Sequence, residues 1–382
     1  MSQIGIVSMY TDSCGYGGLL QAWAMVRMIN EMGYNAEQIV LGNKKAGIPQ
    51  KTIFKKIKQL GVEGTFSAVR WKLKKISGTM PDEKIFAQTK SLCTEFRNSI
   101  PHSERYDEDD LEVTNKLYDV FIVGSDQVWN PYWIREAYLL SFVKGRPRIS
   151  YAASIANFDF SMKEKQRFIK AIEQFDAVSV REKKAVWYIK KFSQVNPALV
   201  LDPTLLLRKE HYANIEKEVN VPEKYIFCYF LNMESKKRTL AQKIAEEQKC
   251  RIVYPIWYRQ QVLYNDNTFG EQTLLEVGPR EWLYLIHHAS LVLTDSFHAL
   301  VFSILYQKQF YHIPRTKKQK NDMNSRVDSL LTMLELEERT IDKNNIRSMK
   351  YTKINYQHVE QVLESQRVKS FAWLENVLGT LL

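Results

Sequence analysis

The feature that most constrains this chain is the order in which short apolar runs alternate with longer helical patterns. Ile4–Ser8 is a short apolar run, and Cys14-Gly-Tyr-Gly-Gly18 is a glycine-rich turn. Leu19, Leu20, Trp23, Ala24, Val26, Met28 and Ile29 then recur at helical spacing until Gly33, and Ala36–Leu41 is the next extended segment. Strand, turn, helix and strand in that order open a parallel βαβ unit. The alternation resumes with strands at Tyr118–Gly124 and Arg148–Ile155, helix Lys163–Phe175, strand Ala177–Val180, helix Glu182–Lys191 and strand Ala198–Asp202. A second block starts at Tyr225–Leu231. Helix Lys236–Glu247, strand Arg251–Pro255, helix Pro279–His288, strand Ser290–Thr294, helix Phe297–Tyr306 and strand Gln309–His312 follow it. Helices are predicted over Met323–Leu334 and Tyr356–Val377. Two such blocks predict an α/β protein with two largely parallel sheets. The expected limits are residues 1–210 and 220–350, joined through Glu210–Val221, which lacks a buried pattern. Residues 351–382 form a C-terminal helix expected to pack back on the first domain. A basic helical insert is expected at about residues 44–115.

Charge locates that insert. The chain has 54 Lys and Arg against 43 Asp and Glu, a net +11. Between Lys44 and Gly78 stand ten basic residues and one acid, Glu63, so +9 sits there and only +2 elsewhere. Ile53, Phe54, Ile57 and Leu60 share one helical face, as do Phe66, Val69, Leu73 and Ile76. Two basic amphipathic helices can pack on the domain with their lysines in water, or dock on an anionic membrane surface. With 45% hydrophobic and 25% charged residues, the composition excludes a disordered, collagen-like or low-complexity chain. Met1–Ser8 lacks a basic leader, and no run approaches the ~20 apolar residues of a bilayer span. Cys14, Cys93, Cys228 and Cys250 form no C-x-x-C pair, so a reduced, cytoplasmic setting is the simplest expectation.

Four constellations fall at strand ends, where open α/β sheets place their ligands. Gly15-Tyr-Gly-Gly18 lets Gly17 and Gly18 amides approach an anion at a helix N-terminus, or is a plain tight turn. Gly124-Ser-Asp-Gln-Val-Trp-Asn130 offers Asp126, Gln127, Trp129 and Asn130 to a sugar, or merely caps a helix. Val178-Ser-Val-Arg-Glu182 projects Arg181, whose fork suits a carboxylate or phosphate; alternatively Arg181 pairs with a nearby acid. Leu293-Thr-Asp-Ser-Phe-His-Ala299 puts Ser296 at a helix cap and His298 in the first turn, as an acid or base near neutral pH or as a structural histidine. His287 and His288 are adjacent on a helix and so face different directions; with no H-x-x-x-H or Cys/His cluster, no metal site is expected. Nothing matches a nucleic-acid recognition module.

Taken in order, these segments resemble the polysaccharide pyruvyl transferase family. The resembling stretches are Gly15-Tyr-Gly-Gly-Leu-Leu-Gln-Ala22, Val123-Gly-Ser-Asp-Gln-Val-Trp-Asn130, Ser150-Tyr-Ala-Ala-Ser154, Ser179-Val-Arg-Glu182, Leu201-Asp-Pro-Thr204, Thr294-Asp-Ser-Phe-His298 and Asn324-Ser-Arg326. The resemblance implies two Rossmann-like domains facing a cleft, as in GT-B glycosyltransferases. It implies transfer of the enolpyruvyl part of phosphoenolpyruvate to a sugar of a cell-surface polysaccharide precursor, giving a pyruvate ketal and phosphate. Phosphoenolpyruvate is then a donor substrate, and no separate cofactor is implied. Arg181 matches the family arginine that grips the donor, and His298 the histidine proposed as catalytic acid. Well-studied members carry Arg two positions before that His; this chain has Ser296, as in a bacterial branch with Ser-Phe-His. Ser296, Gly17, Gly18 and Arg326 complete the expected donor site. Asp126 is expected to hold or deprotonate the acceptor hydroxyl, with Gln127, Trp129 and Asn130 beside it. The acceptor could be polyprenyl-linked and met at the inner membrane face through residues 44–78. Two other functions fit the same pattern: a nucleotide-sugar glycosyltransferase, and a non-catalytic, membrane-associated glycan-assembly protein.

Overall fold

A computed structural model describes residues 1–10, 14–42, 87–231, 235–255, 269, 272–274, 276–315, 324–341 and 352–382. The predicted basic helices of residues 44–78 lie outside the described residues. The first part comprises β1 (Gln3–Val7), α1 (Tyr16–Glu31), β2 (Asn35–Leu41), α2 (Ala87–Asn98), β3 (His102–Tyr106), β4 (Val120–Val123), β5 (Arg148–Ala153), α3 (Met162–Ile172), β6 (Ala177–Val180), α4 (Lys183–Phe192) and β7 (Ala198–Leu199). Its seven strands lie in the order β3-β2-β1-β4-β5-β6-β7, every pair parallel. Short helices α5 (Pro203–Leu206) and α6 (Lys209–Ala213) lead to the second part. That part contains β8 (Tyr225–Tyr229), α7 (Ser235–Gln248), β9 (Arg251–Pro255), β10 (Gln272–Leu274), α8 (Pro279–His287), β11 (Leu291–Thr294), α9 (Phe297–Leu305), β12 (Phe310–His312), α10 (Ser325–Met333) and α11 (Tyr356–Leu381). Its sheet order is β10-β9-β8-β11-β12, again all parallel.

The central strands are buried on both faces because helices cover both sides of a parallel sheet, which is why they read as continuous apolar runs. β4 (VFIV) and β11 (LVLT) are buried at every position. α9 is the helical counterpart, with all nine residues buried. α3 is surface-lying and starts by a capping box between Ser161 and Glu164. β3 departs from the sequence expectation of a helical insert. Its residues, HSERY, show no apolar alternation, yet it forms the sheet edge through backbone pairing of Gln38 with His102 and Leu41 with Tyr106. An edge strand is held by its ladder and needs no buried face of its own, so hydropathy is silent there.

Strand order reverses between β1 and β4 in one sheet and between β8 and β11 in the other, and each reversal opens a crevice at the strand C-termini. One apolar core runs from the first sheet through α1 to α8, α9 and the second sheet. Tyr16 of α1 sits 5.7 Å from the Trp282 ring and 6.0 Å from Tyr229, and its hydroxyl donates to the Val277 carbonyl at 2.8 Å. α11 returns to the first part: Arg367 Nε donates to the Leu205 carbonyl at 2.8 Å, and Leu201 N–H to Ser370 Oγ at 3.0 Å. No helix among the described residues is long and apolar enough to cross a membrane. Cys14 and Cys93, 79 residues apart, are disulfide-bonded, where sequence alone suggested a fully reduced chain. Packing of α2 beneath the first βα turn brings them together, and spacing cannot show that. Cys228 and Cys250 are free and buried.

Candidate active site

The loops that follow β1, β4, β5, β6 and β7 meet the start of α9 from the other sheet. Gly17, in the first turn of α1, lies directly against His298. A Cβ there would fall 2.2 Å from His298 Nδ1 and 2.4 Å from its Cγ, so only glycine lets the helix lie against the imidazole. Gly15 caps α1 without a side-chain hydrogen bond, and no acid occupies the first turn, which leaves that helix end suited to an anion. Gln21, one turn on, accepts the Ser125 N–H at 3.1 Å and ties α1 to the β4 loop.

Asp126 follows β4 with a φ of 60°, in the left-handed region that Asp tolerates better than most residues. Its carboxylate accepts from Arg181 Nη2 at 2.7 Å. Arg181 leaves the end of β6, and its Nη1 donates to Asp202 Oδ2 at 2.5 Å. Asp202 caps α5, accepting from the Thr204 N–H at 3.1 Å and its hydroxyl at 2.6 Å, and Ser125 Oγ lies 3.0 Å from its Oδ2. His298 Nε2 stands 3.9 Å from the same oxygen, and Arg326 Nη1 from α10 stands 3.7 Å from Asp126. Phe297 carries both guanidinium groups, Arg181 at 4.5 Å and Arg326 at 5.7 Å from its ring centre. The side chains of Arg181 and Asp202 are 1% and 0% exposed, against 12% for Asp126 and 9% for His298. All four side chains are thus buried, and His298 Nε2 is enclosed without a hydrogen-bond partner.

These contacts set the charges. Burial disfavours ionisation of Asp126, but Arg181, His298 and Arg326 outweigh it and hold the carboxyl below its usual range. Burial opposes Asp202 in the same way, and Arg181, then His298, bring it down to about 2. His298 is lowered chiefly by burial, against the pull of Asp202 and Asp126, so the resting imidazole is neutral near pH 7. Arg326 is pushed down to about 9 by burial and by the Arg181 charge beside it. An anion brought against that pair of guanidiniums is accordingly favoured.

Of the residues singled out from sequence, the fold gathers Gly17, Gly18, Asp126, Arg181, Ser296, His298 and Arg326 in one place. Ser296 caps α9, accepting the Ala299 N–H at 3.4 Å. Arg181 is paired with acids, the plainer of its two readings. Trp129 lies elsewhere: it is fully buried in the first part's core, its Nε1 donating to the Tyr138 carbonyl at 3.0 Å and its ring packed on Phe168. Asn130 is buried in the same turn, donating to Gln127 Oε1 at 3.0 Å and accepting the Tyr132 N–H at 3.1 Å, while Gln127 is half-buried. Sequence reasoning gave no role to Asp202, Ser125, Gln21 or Glu182. Glu182 Oε1 accepts from Ser154 Oγ and the Ile155 and Ala156 N–H groups at 2.9–3.0 Å, which shapes the β5 loop. The Asp-Pro step was the available signal for Asp202: a helix cap followed by proline, right after a strand.

Comparison with known proteins gives the family and the fold. The polysaccharide pyruvyl transferase profile matches residues 16–316, which include every member of the cluster except Arg326. Among solved structures, the chain is similar to the glycotransferase of kitacinnamycin, at 11% identity and a TM-score of 0.53, covering 98% of each chain. It is also similar to Anabaena Alr3699/HepE in complex with UDP and glucose, at 10% identity and a TM-score of 0.50, covering 100% of each. The UDP-GlcNAc 2-epimerase of Methanocaldococcus jannaschii matches at 12% identity and a TM-score of 0.49, over 95% of this chain and 92% of that one. No curated protein matches the sequence. The fold is the two-sheet, GT-B-like arrangement, and the chain belongs to the polysaccharide pyruvyl transferase family.

Proposed function

We propose that the protein transfers the enolpyruvyl part of phosphoenolpyruvate to a sugar of a cell-surface polysaccharide precursor, forming a pyruvate ketal and releasing phosphate. The observation that carries this reading is the buried pair of guanidiniums, Arg181 and Arg326, gathered over Phe297 beside the Asp126 carboxylate and a His298 Nε2 that has no hydrogen-bond partner. An anionic donor would lie against Arg326 and the uncapped first turn of α1 at Gly17 and Gly18. Arg326 then supplies the second donor cation that Ser296 does not. Arg181, held by two carboxylates, acts as a positioning residue that fixes Asp126.

The donor's own charge would arm the acid. His298 is neutral at rest, and a carboxylate and a phosphate beside it raise its pKa. The imidazolium can then give a proton to the methylene carbon, leaving an oxocarbenium-like centre at the adjoining carbon. A sugar hydroxyl adds there and loses its proton. A second hydroxyl of the same sugar displaces phosphate, and the methylene has become the methyl of the ketal. Asp126 is held too acidic to be a strong base, so its part is to accept a hydrogen bond from the incoming hydroxyl and orient it. The precursor could be polyprenyl-linked, with the basic segment at residues 44–78 meeting anionic lipid at the cytoplasmic face.

Purified protein incubated with phosphoenolpyruvate and a panel of lipid-linked and nucleotide sugars should release phosphate and give a ketal-bearing sugar by mass spectrometry; His298→Ala should do neither. A second reading, a nucleotide-sugar glycosyltransferase, is favoured by the occupation of Arg181 by Asp126 and Asp202. Thermal stabilisation by UDP but not by phosphoenolpyruvate, with no ketal formed, would replace the first reading by the second.

A further inference from the structure

Away from the crevice, at the far end of α8, two histidines and a glutamate converge. His287 closes α8 and His288 is its C-cap, with a φ of −94° and a ψ of −2°. The two adjacent rings converge, their centres 4.8 Å apart, contrary to the expectation for two neighbours within a helix. Glu216 comes from the segment joining the two sheets. It is held in place by the next residue, whose N–H donates to the Arg280 carbonyl at 3.3 Å. Glu216 Oε1 is 3.0 Å from His287 Nδ1, and its Oε2 is 3.7 Å from His288 Nε2. One ligand atom from each of the three residues falls within 4.8 Å of the others.

We propose that Glu216, His287 and His288 form a zinc site that staples the inter-sheet segment to α8, with water as the fourth ligand. Zinc bonds of ~2.0–2.1 Å in a tetrahedron put neighbouring ligand atoms about 3.3 Å apart. From Glu216 Oε2, the separations of 3.1 Å to His287 Nδ1 and 3.7 Å to His288 Nε2 bracket that value. Two imidazoles and a carboxylate are a donor set that suits zinc and leaves a position open. Both rings are oriented by stacking, His287 on Tyr306 at 4.2 Å and His288 on Tyr284 at 4.1 Å. His288 is 48% exposed, which gives the ion an entry path and leaves room for water.

The test uses the full chain, stripped with chelator and titrated with zinc chloride. Metal content after gel filtration, thermal melting and the visible spectrum of a cobalt-substituted sample are the readouts. The wild type should retain one equivalent, melt at a higher temperature with zinc but not with magnesium, and give a four-coordinate cobalt spectrum. His288→Ala removes an exposed side chain, so it should fold and melt like the metal-free wild type and lose the zinc-dependent rise. Its affinity should fall by more than the ~10–100-fold that loss of an outer-shell partner alone costs a metal site. Glu216→Gln should do the same, without any need for transferase activity in the readout. Failure of the wild type to retain zinc, or equal retention by His288→Ala, would overturn the site and leave an ordinary Glu216–His287 ion pair.

Discussion

Gly17→Ala tests the contact on which the crevice depends. The added Cβ would lie 2.2 Å from His298 Nδ1, 2.4 Å from Cγ and 2.7 Å from Cβ. Non-bonded carbons rest about 3.5–4.0 Å apart, so the ring must retreat by more than about 1 Å. Rotating the imidazole does not suffice, because its own Cβ is also too close; α1 or α9 must shift, and every residue of α9 is buried. Overpacking of this kind costs about 1–3 kcal/mol, while Ala in place of a helical Gly returns up to about 1 kcal/mol. The chain should therefore stay folded, with a melting temperature lowered by a few degrees. The chemistry should suffer more, since a ~1 Å misplacement of a reacting group costs about 100-fold in rate. Gly18→Ala is the matched control: its Cβ meets the Met9 carbonyl at 3.7 Å and Asp126 Oδ2 at 3.9 Å, which are ordinary contacts. The assays are phosphate release from phosphoenolpyruvate with acceptor and the imidazole signal of His298 by NMR. Gly17→Ala should move that signal and abolish most turnover, and Gly18→Ala should leave the signal in place. Wild-type turnover by Gly17→Ala, or an imidazole signal displaced equally in both variants, would refute the placement of His298 as the reacting group.

Because burial lowers the His298 pKa in the free protein and an anion would raise it, donor binding near pH 7 should take up a proton. Titration calorimetry of phosphoenolpyruvate in buffers of different ionisation heat should show that uptake, and His298→Gln should lose it. Asp202, held at about 2 in the folded protein and higher when unfolded, contributes stability that is fully present above pH 4 and lost as pH falls toward 2. The contribution is about 2 kcal/mol, so urea midpoints should drop steeply across that window in the wild type and less steeply in Asp202→Asn. Trp129→Phe should cost about 1 kcal/mol through the lost Tyr138 hydrogen bond and leave the acceptor KM unchanged. A raised KM with unaltered melting would put Trp129 back at the sugar.

Much of the fold is legible because parallel strands and their covering helices write burial directly into the sequence. Ala177–Val180 and Arg251–Pro255 form strands over the same residues that their apolar runs mark. Legibility fails where a segment is held by something other than its own burial. β3 is held by backbone pairing at an edge, and its polar residues carry no pattern. The candidate site divides in the same way. Its residues stand out as polar groups placed just after apolar strands, but their partners do not. Arg181 reads as a free fork and is held between Asp126 and Asp202. Trp129 reads as a sugar platform and is core.

The sequence by itself determined that this is a two-block α/β chain, which loops follow its strands, and where its excess charge lies. Periodicity and turn residues report on neighbours a few positions away, and those features need nothing more. Only the tertiary structure decided that Gly17 lies on His298, that Arg326 comes over Phe297 beside Arg181, and that Glu216 meets His287 and His288. Gly17 and His298, Arg181 and Arg326, and Glu216 and His287 are each more than 50 residues apart. Whether such segments touch is settled by how the two sheets pack, and the packing energy is spread over one shared core.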